Sequence, residues 1–216
     1  MDYEQARFNM IEQQIRPADV LDPATLEALA LVRRERFVAA AHRSLAFADL
    51  ALPLPGGRHM LEPRVAARLL QAAAPRRGES ALVIGCGSGY LSALLAVHAE
   101  SVRSLEINLE LVLFGRENLC NAGVVNVTVE QADGLAGSAA HAPFDLIVAA
   151  GAVREIPLAW LDQLKPGGRL LAIVGQAPVM KVLRVTRIAS GAFRTESVFE
   201  TQVDALSDPS ASRFAF

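Results

Sequence analysis

The chain has 216 residues, of which 52% are hydrophobic, and this is enough apolar sequence to bury one sizeable core. A formal charge of −2 and a pI near 6.1 argue against a protein that binds nucleic acid or another polyanion through its overall charge. No stretch is long and apolar enough to predict a membrane span, the first residues do not resemble a secretory signal, and the two cysteines and four histidines lack the spacing of metal ligands. The clustered Arg33, Arg34 and Arg36 are interpreted as solvated helix ends. These features predict a cytoplasmic protein with no nucleic-acid partner, no membrane and no metal site.

Three helices are predicted in the first third of the chain. Residues 3–16 have apolar side chains at spacings of three and four, which is typical of one face of an amphipathic helix, and Pro17 is expected to end it. Asp22 as the N-cap and Pro23 at the first helical position begin a second helix. Pro63 begins a third helix, at the end of the segment "PGGRHMLEP", which contains a Gly-Gly turn. The sequence therefore predicts an N-terminal helical layer.

From residue 80 onwards, short apolar segments alternate with helical sequence. The strand candidates are "ALVIG", "VRSLEI", "NVTVEQ", "FDLIVAA" and "RLLAIVG". Strands that alternate with helices predict crossover units and a parallel sheet with right-handed connections. "MKVLRVTRI" and "FRTESVFETQV", separated by "ASGA", predict a hairpin that adds an antiparallel edge. The predicted fold class is α/β: a Rossmann-like, mostly parallel sheet with an antiparallel C-terminal hairpin strand and helices on both faces.

A glycine-rich segment, "LVIGCGSGYLSALL", joins the first of these strands to a helix. Gly85, Gly87 and Gly89 would let a ligand approach the backbone closely, and the first N–H groups of the helix would be unpaired. Tyr90 stands where a dinucleotide-binding fold has its third glycine, and this argues against a nicotinamide cofactor.

Two further strand ends carry acidic residues. Glu106 ends the next strand, where its carboxylate could accept hydrogen bonds from two ribose hydroxyls. Asp133 and Gly134 end the third strand, where an adenine amino group could be recognised. Each signal is weak alone, because a glycine turn, a solvated acid and an Asp-Gly turn are common in proteins without any cofactor. Together they lie at successive strand ends, on the side where open α/β sheets bind ligands, and so predict a nucleoside-type cofactor.

Several segments carry a resemblance to a known family. "LVIGCGSGY", "SLEI", "QADG", "FDLIVAAG" and "LKPGGRLLAIVG" resemble the successive motifs of S-adenosylmethionine-dependent methyltransferases. "MIEQQI", "RRERFV" and "DLALPLPGG" resemble the N-terminal helices and substrate loop of the protein-L-isoaspartate O-methyltransferase family. The resemblance extends from about Met10 to Val203, and it implies S-adenosyl-L-methionine as the cofactor.

The resemblance also implies roles for individual residues near that cofactor. The implied contacts are Gly85, Cys86, Gly87, Ser88 and Gly89 with the methionine and ribose portions, Glu106 with the ribose, Asp133 and Gly134 with adenine, and Ala149 and Ala150 with the floor near the transferred methyl group.

The sequence departs from the family pattern in two places. Family members commonly have an acid two residues before the first glycine, and this chain has Val83. The family's substrate loop typically reads Thr, apolar, Ser, any residue, Pro, and the matching residues here include His59, Met60 and Leu61, so both hydroxyls are replaced. Arg58 and His59 are therefore the candidates for orienting an acceptor carboxylate, although no catalytic residue is certain. The alternative is that His59 is a surface loop residue while Met60 and Leu61 pack in the core.

The predicted function is methyl transfer to the carboxylate of isoaspartyl residues in damaged proteins or peptides. That acceptor is already ionised at pH 7, so the reaction needs no general base. Two alternatives remain open: a methyltransferase with a small-molecule acceptor, and a non-catalytic protein of the same fold used for binding or regulation. A single methyltransferase domain is expected over residues 1–216, with N-terminal helices and substrate loop at 1–75, a cofactor-binding core at 76–206 and a loose tail at 207–216. The oligomeric state is not predicted.

Overall fold

The computed structural model describes residues 2–206, and the predicted tail at 207–216 lies outside the described residues. The N-terminal layer consists of α1 (Tyr3–Met10), a π-helical turn (Ile11–Ile15), a 3-10 turn (Arg16–Ala18) and α2 (Pro23–Leu31). The predicted stop at Pro17 is one residue early, because the 3-10 turn runs on to the following alanine before the chain leaves the helical conformation. The prediction that Asp22 caps α2 is confirmed, since its carboxylate accepts a hydrogen bond from the Thr25 backbone N–H at 2.8 Å.

A small hairpin stands between the N-terminal layer and the main sheet. β1 (Leu52–Leu54) and β2 (Arg58–Met60) pair antiparallel across a turn at Pro55–Gly57. Gly56 has a φ of +69°, a backbone conformation that favours glycine, and its Cα lies close to the side-chain amide of Asn108. The sequence predicted the turn but not the strands, because each strand has only three residues.

Within the described residues the main sheet has seven strands. Its strands are β3 (Ser80–Ile84), β4 (Ser101–Glu106), β5 (Val127–Gln131), β6 (Phe144–Val153), β7 (Leu164–Gln176), β8 (Val179–Ala189) and β9 (Ala192–Thr201). The order across the sheet is β5-β4-β3-β6-β7-β8-β9. The first five strands in this order are parallel, β8 runs antiparallel to β7, and β9 runs antiparallel to β8. The predicted parallel sheet with a C-terminal hairpin is confirmed. The antiparallel strand is β8, whereas the edge strand β9 runs in the same direction as the parallel strands.

Helices cover both faces of this sheet, and the side chains of β3 show how the core is divided. The remaining helices are α3 (Pro63–Ala73), α4 (Tyr90–Ala96), α5 (Leu109–Ala122) and α6 (Leu158–Asp162). Val83 points into the core cluster that contains side chains of α3, α4 and α5. Leu82 and Ile84 point into a second cluster that contains Trp160 of α6. This alternation buries β3 on both sides, as expected for a central parallel strand.

After β9 the chain returns to the end of β6. We call residues 203–206 the closing segment. The Ala152 N–H donates to the Asp204 carbonyl at 2.9 Å, and the Leu206 N–H donates to the Ala152 carbonyl at 2.8 Å. These two bonds extend the sheet locally and bring the closing segment against the β1–β2 hairpin. No helix among residues 2–206 is long and apolar enough to cross a membrane.

Candidate functional site

A cleft that is open to solvent lies at the carboxyl ends of β3, β4 and β6. Strand order reverses beside β3, and this is where open α/β sheets bind ligands. The β1–β2 hairpin and the closing segment form the opposite wall. The cleft wall includes nine of the predicted cofactor or acceptor residues around the glycine loop and hairpin: Arg58, His59, Met60, Leu61, Gly85, Cys86, Gly87, Ser88 and Glu106.

The glycine loop after β3 follows the backbone path that its sequence predicts. Gly85, Gly87 and Gly89 all have positive φ values, of 87°, 54° and 85°. At Gly89 an added Cβ would lie 3.2 Å from the carbonyl oxygen of Gly115, so the glycine lets α5 pack directly against the loop. The Gly85 N–H donates to the Leu105 carbonyl at 2.9 Å, which ties the loop to the end of β4. The loop is therefore positioned by backbone contacts on two sides.

Glu106 lies at the end of β4 and is only 7% exposed. Its Oε2 accepts a hydrogen bond from the Gly87 N–H at 3.0 Å, and its Oε1 accepts one from the Asn108 N–H at 3.1 Å. Each carboxylate oxygen has more than one acceptor position, so both remain able to accept a further bond from a ligand in the cleft. This arrangement suits a pair of vicinal hydroxyls.

Asp133 and Gly134 form the next part of the cleft wall, after β5. The Asp133 carboxylate caps a short 3-10 turn by accepting the Leu135 N–H at 2.9 Å. Trp160 is fully buried and donates its ring N–H to the Gly134 carbonyl at 2.8 Å. A Cβ at Gly134 would lie 2.4 Å from Cγ2 of Ile84, so the turn approaches β3 too closely for any side chain.

The two alanines of β6 lie on opposite faces of the strand. Ala150 lies in the cleft wall. Ala149 is fully buried and belongs to the core cluster that contains Leu82 and Ile84. The structure therefore brings Ala150, and not Ala149, to the floor of the cleft, because successive side chains of a strand point to opposite faces.

Two residues of the glycine loop have buried side chains. Burial raises the pKa of the Cys86 thiol to about 12, so the thiol remains protonated at neutral pH. The Ser88 hydroxyl accepts the Tyr90 N–H at 3.3 Å, and the Ser88 carbonyl accepts the Asn118 side-chain N–H at 3.0 Å. Val83, in place of the family's acid, is fully buried in the core.

On the opposite wall of the cleft, the β1–β2 hairpin is hydrogen-bonded to the closing segment. The His59 backbone N–H donates to Oδ2 of Asp204 at 2.8 Å, and Nδ1 of the His59 ring lies 3.1 Å from the same oxygen. Arg58 donates from Nη1 to the Ala205 carbonyl at 3.0 Å. Met60 is 4% exposed and joins the core, yet it also lines the cleft, as Leu61 does. Sequence analysis missed the closing segment, since nothing in "VDAL" indicates which strand end it reaches.

The interpretation of Arg34 as a solvated helix end is wrong, because Arg34 is fully buried beneath the hairpin. It donates to the Ala46 carbonyl at 2.9 Å and to the Leu61 carbonyl at 2.8 Å. Its guanidinium carbon lies 4.9 Å from the centre of the Tyr90 ring, and burial lowers its pKa. Arg34 thus connects the residue that follows the β1–β2 hairpin to the helix that follows the glycine loop.

Comparisons with known proteins agree with this architecture. The model of the protein-L-isoaspartate(D-aspartate) O-methyltransferase family matches residues 5–208. A protein-L-isoaspartate O-methyltransferase of Koribacter versatilis (strain Ellin345) is 38% identical over 86% of this chain and 83% of its own length. One from Aeropyrum pernix is 39% identical over 85% of this chain and 72% of its own. A solved structure from Plasmodium falciparum, of a protein assigned as a protein-L-isoaspartate O-methyltransferase and bound to S-adenosyl-L-homocysteine, is 17% identical. It superimposes with a TM-score of 0.81 over 96% of this chain and 99% of the other.

Proposed function

Because the chain belongs to the protein-L-isoaspartate(D-aspartate) O-methyltransferase family, we propose that it transfers a methyl group from S-adenosyl-L-methionine to the carboxylate of isoaspartyl residues in damaged proteins and peptides. The observation that carries this proposal is one cleft in which the glycine loop, Glu106 and Asp133 face the β1–β2 hairpin. Cofactor side and acceptor side are therefore adjacent, as a direct transfer requires.

The residues of the cleft fit the proposed cofactor. Glu106 would accept the two ribose hydroxyls, because its oxygens have acceptor capacity beyond their bonds to the backbone. Asp133 and Gly134 would lie near adenine, and the loop Gly85–Gly89 would pass beneath the methionine portion without large side chains in the way. The cofactor supplies a methyl group on a positively charged sulfur, which is electrophilic without any metal or base.

The chain's own contribution to this reaction is alignment and the exclusion of water. An isoaspartyl carboxylate is ionised at pH 7, with an ordinary pKa near 4, so no residue has to remove a proton from it. Alignment of two reactants can supply roughly 7–11 kcal/mol. Arg58, and His59 in its protonated form, would orient the carboxylate, while Met60 and Leu61 keep water away.

We also propose that residues 2–206 act as one methyltransferase unit in the cytoplasm. The N-terminal layer, the hairpin and the sheet share one core cluster, which supports a single unit. Cys86 and Cys120 are both unpaired, and this suits a reducing compartment.

The decisive test uses labelled S-adenosyl-L-methionine and two peptides that differ only in having aspartate or isoaspartate at one position. We expect label in the isoaspartyl peptide and none in the aspartyl peptide. Calorimetry with S-adenosyl-L-homocysteine measures cofactor binding separately. Tight binding without labelling of either peptide would reject the acceptor, and no detectable binding would favour the non-catalytic alternative.

A further inference from the structure

The β1–β2 hairpin and the closing segment form one wall of the cleft, which we call the acceptor wall. Its most distinctive feature is the pair formed by His59 and Asp204. One carboxylate oxygen of Asp204 lies 2.8 Å from the His59 backbone nitrogen and 3.1 Å from Nδ1 of the ring. Both residues lie in the wall of the cleft. Their side chains are 48% and 38% exposed, so the pair is at the mouth of the cleft and in contact with solvent.

The position of Asp204 is set by the backbone rather than by the ion pair. Its carbonyl accepts the Ala152 N–H, and the next residue's carbonyl accepts a bond from Arg58. A Cβ at Gly151 would lie 3.1 Å from the Asp204 carbonyl oxygen, so the segment lies directly against β6. Backbone hydrogen bonds of the closing segment therefore hold the Asp204 carboxylate beside His59.

This pairing decides which ring nitrogen of His59 carries the proton. An ionised carboxylate can only accept, so Nδ1 must be the donor in the contact with Asp204. In the neutral ring, Nε2 then has a lone pair, and the described residues supply Nε2 with no partner. A ring oriented in this way offers a hydrogen-bond acceptor to the cleft, and the adjacent carboxylate stabilises the ring once it is protonated.

When the His59 ring is neutral, this wall can also bind an acceptor that has a proton to give. A carboxylate has no proton to donate to Nε2, and it would lie close to the negative charge of Asp204. A hydroxyl group can donate to Nε2 directly. Besides Arg58, the wall near the pair includes apolar side chains: Leu54, Met60, Leu61 and Leu206.

We propose that His59 and Asp204 form a general-base pair for a second class of acceptor, a small phenol, and this rests on the proposed function for its methyl donor. The phenol O–H proton passes to Nε2 of His59 while the oxygen forms a bond to the methyl carbon. The bond between that carbon and sulfur breaks, with its electron pair going to sulfur, so the products are a methyl phenyl ether and S-adenosyl-L-homocysteine. The imidazolium is held by Asp204 and returns its proton to solvent. A phenol fits better than an alkyl alcohol because its pKa, near 10, is closer to that of a histidine base.

Other titratable groups in the cleft do not replace this base. Burial raises the pKa of the Cys86 thiol to about 12 and also raises the pKa of the Tyr90 hydroxyl, although the charge of Arg34 opposes the shift at Tyr90. The charged groups of the wall besides Asp204 are Arg58, Glu106 and Asp133. The Glu106 carboxylate is bound to the glycine loop, and that of Asp133 to its own turn.

The test compares the wild type with Asp204→Asn and His59→Gln, using 4-methylphenol and the isoaspartyl peptide as separate acceptors. Asp162→Asn is the matched control, since Asp162 is exposed at the end of α6. We expect Asp204→Asn and His59→Gln each to lower the rate of phenol methylation at least about a hundredfold, the lower end of the hundredfold to ten-thousandfold range typical of general bases. Asp204→Asn should lower the phenol rate more than the isoaspartyl rate, because only the phenol has to give a proton to His59. Cofactor affinity by calorimetry verifies that each variant is folded.

A second readout needs no turnover. In nitrogen NMR spectra at alkaline pH, the His59 ring of the wild type should show the Nδ1–H tautomer, and Asp204→Asn should lose this preference. A wild-type ring in the Nε2–H tautomer would overturn the proposal, and so would a phenol that is never methylated. Labelling of the isoaspartyl peptide alone would reject the phenol and keep the proposed function. Labelling of the phenol alone would reject the isoaspartyl acceptor and keep the phenol.

Discussion

The backbone N–H of Gly87 donates to Oε2 of Glu106 at 3.0 Å, and this bond joins the glycine loop to the strand end that would hold the ribose. Along the chain, Gly87 precedes α4, and Glu106 is the last residue of β4, the strand that follows α4. Their contact means that a change at Glu106 alters both a ligand-binding group and the support of the loop.

Glu106→Gln should therefore weaken cofactor binding. Hydrogen bonds to a charged group contribute about 1.5–3 kcal/mol each, so losing the charge should raise the Kd for S-adenosyl-L-homocysteine roughly tenfold to a hundredfold. Calorimetry measures this directly. Glu117→Gln, at an exposed position of α5, is the control and should leave the Kd unchanged. An unaltered Kd in Glu106→Gln would show that this carboxylate does not contact the cofactor.

His59→Ala should lower turnover of an isoaspartyl peptide while leaving cofactor affinity nearly intact. Because Nδ1 is bound to Asp204, only a protonated ring can donate to the acceptor carboxylate from Nε2. We therefore expect a lower kcat with the isoaspartyl peptide and an unchanged Kd for S-adenosyl-L-homocysteine. Steady-state rates and calorimetry measure the two quantities, and His42→Ala is the control. An unchanged kcat in His59→Ala would contradict a role for the ring.

Gly151→Ala should displace the closing segment. The added Cβ would lie 2.8 Å from Cδ2 of Leu206 and 3.1 Å from the Asp204 carbonyl oxygen, and a backbone atom cannot move aside alone. We expect the Leu206 amide, which is bonded to the Ala152 carbonyl, to exchange its hydrogen at least about tenfold faster, corresponding to about 1.4 kcal/mol. Amides of the buried strand β7, such as that of Leu171, should keep their protection. Unchanged exchange at Leu206 would mean that the segment tolerates the methyl group.

The buried pair Arg7–Glu35 predicts a difference between single and double variants. Its N···O distance is 2.7 Å and both side chains are less than a tenth exposed. Arg7→Met alone should destabilise the protein by about 3–5 kcal/mol, because it leaves a buried charge unpaired. Arg7→Met combined with Glu35→Leu should recover most of that loss.

Urea unfolding measures both variants of the Arg7–Glu35 pair. Arg184→Met is the control, because Arg184 pairs with Glu196 on exposed strands and should cost less than about 1 kcal/mol. If the double variant is as unstable as Arg7→Met, then these two side chains stabilise the folded protein by more than the pairing of their charges.

Much of the fold was predictable because its signals are local. The alternation of apolar strands with helices from residue 80 onwards indicated the parallel sheet, and a Gly-containing turn indicated the β8–β9 hairpin. The residues proposed for the cofactor side were predictable for a related reason: Gly85, Glu106 and Asp133 lie at or just after the end of a strand, and parallel strands end at the same edge of the sheet.

The residues that were missed are those whose role depends on contacts distant in sequence. Asp204 meets His59 only because the chain after β9 returns to β6. Arg34 is buried only because the hairpin folds over it, and its arginine-rich neighbourhood suggested the opposite. Ala149 and Ala150 are adjacent, and which of them faces the cleft depends on the register of β6 beside β3.

The sequence by itself determined the fold class, the family and the positions of the residues proposed to bind the cofactor, because periodicity and turn residues act within a few positions of the chain. Tertiary structure alone decided the chemistry of the acceptor wall. The hydrogen-bonding capacity of His59 is set by Asp204, which lies far along the chain and reaches His59 through backbone pairing at the edge of β6. No local pattern records such pairing, since a strand bond specifies geometry and not residue type.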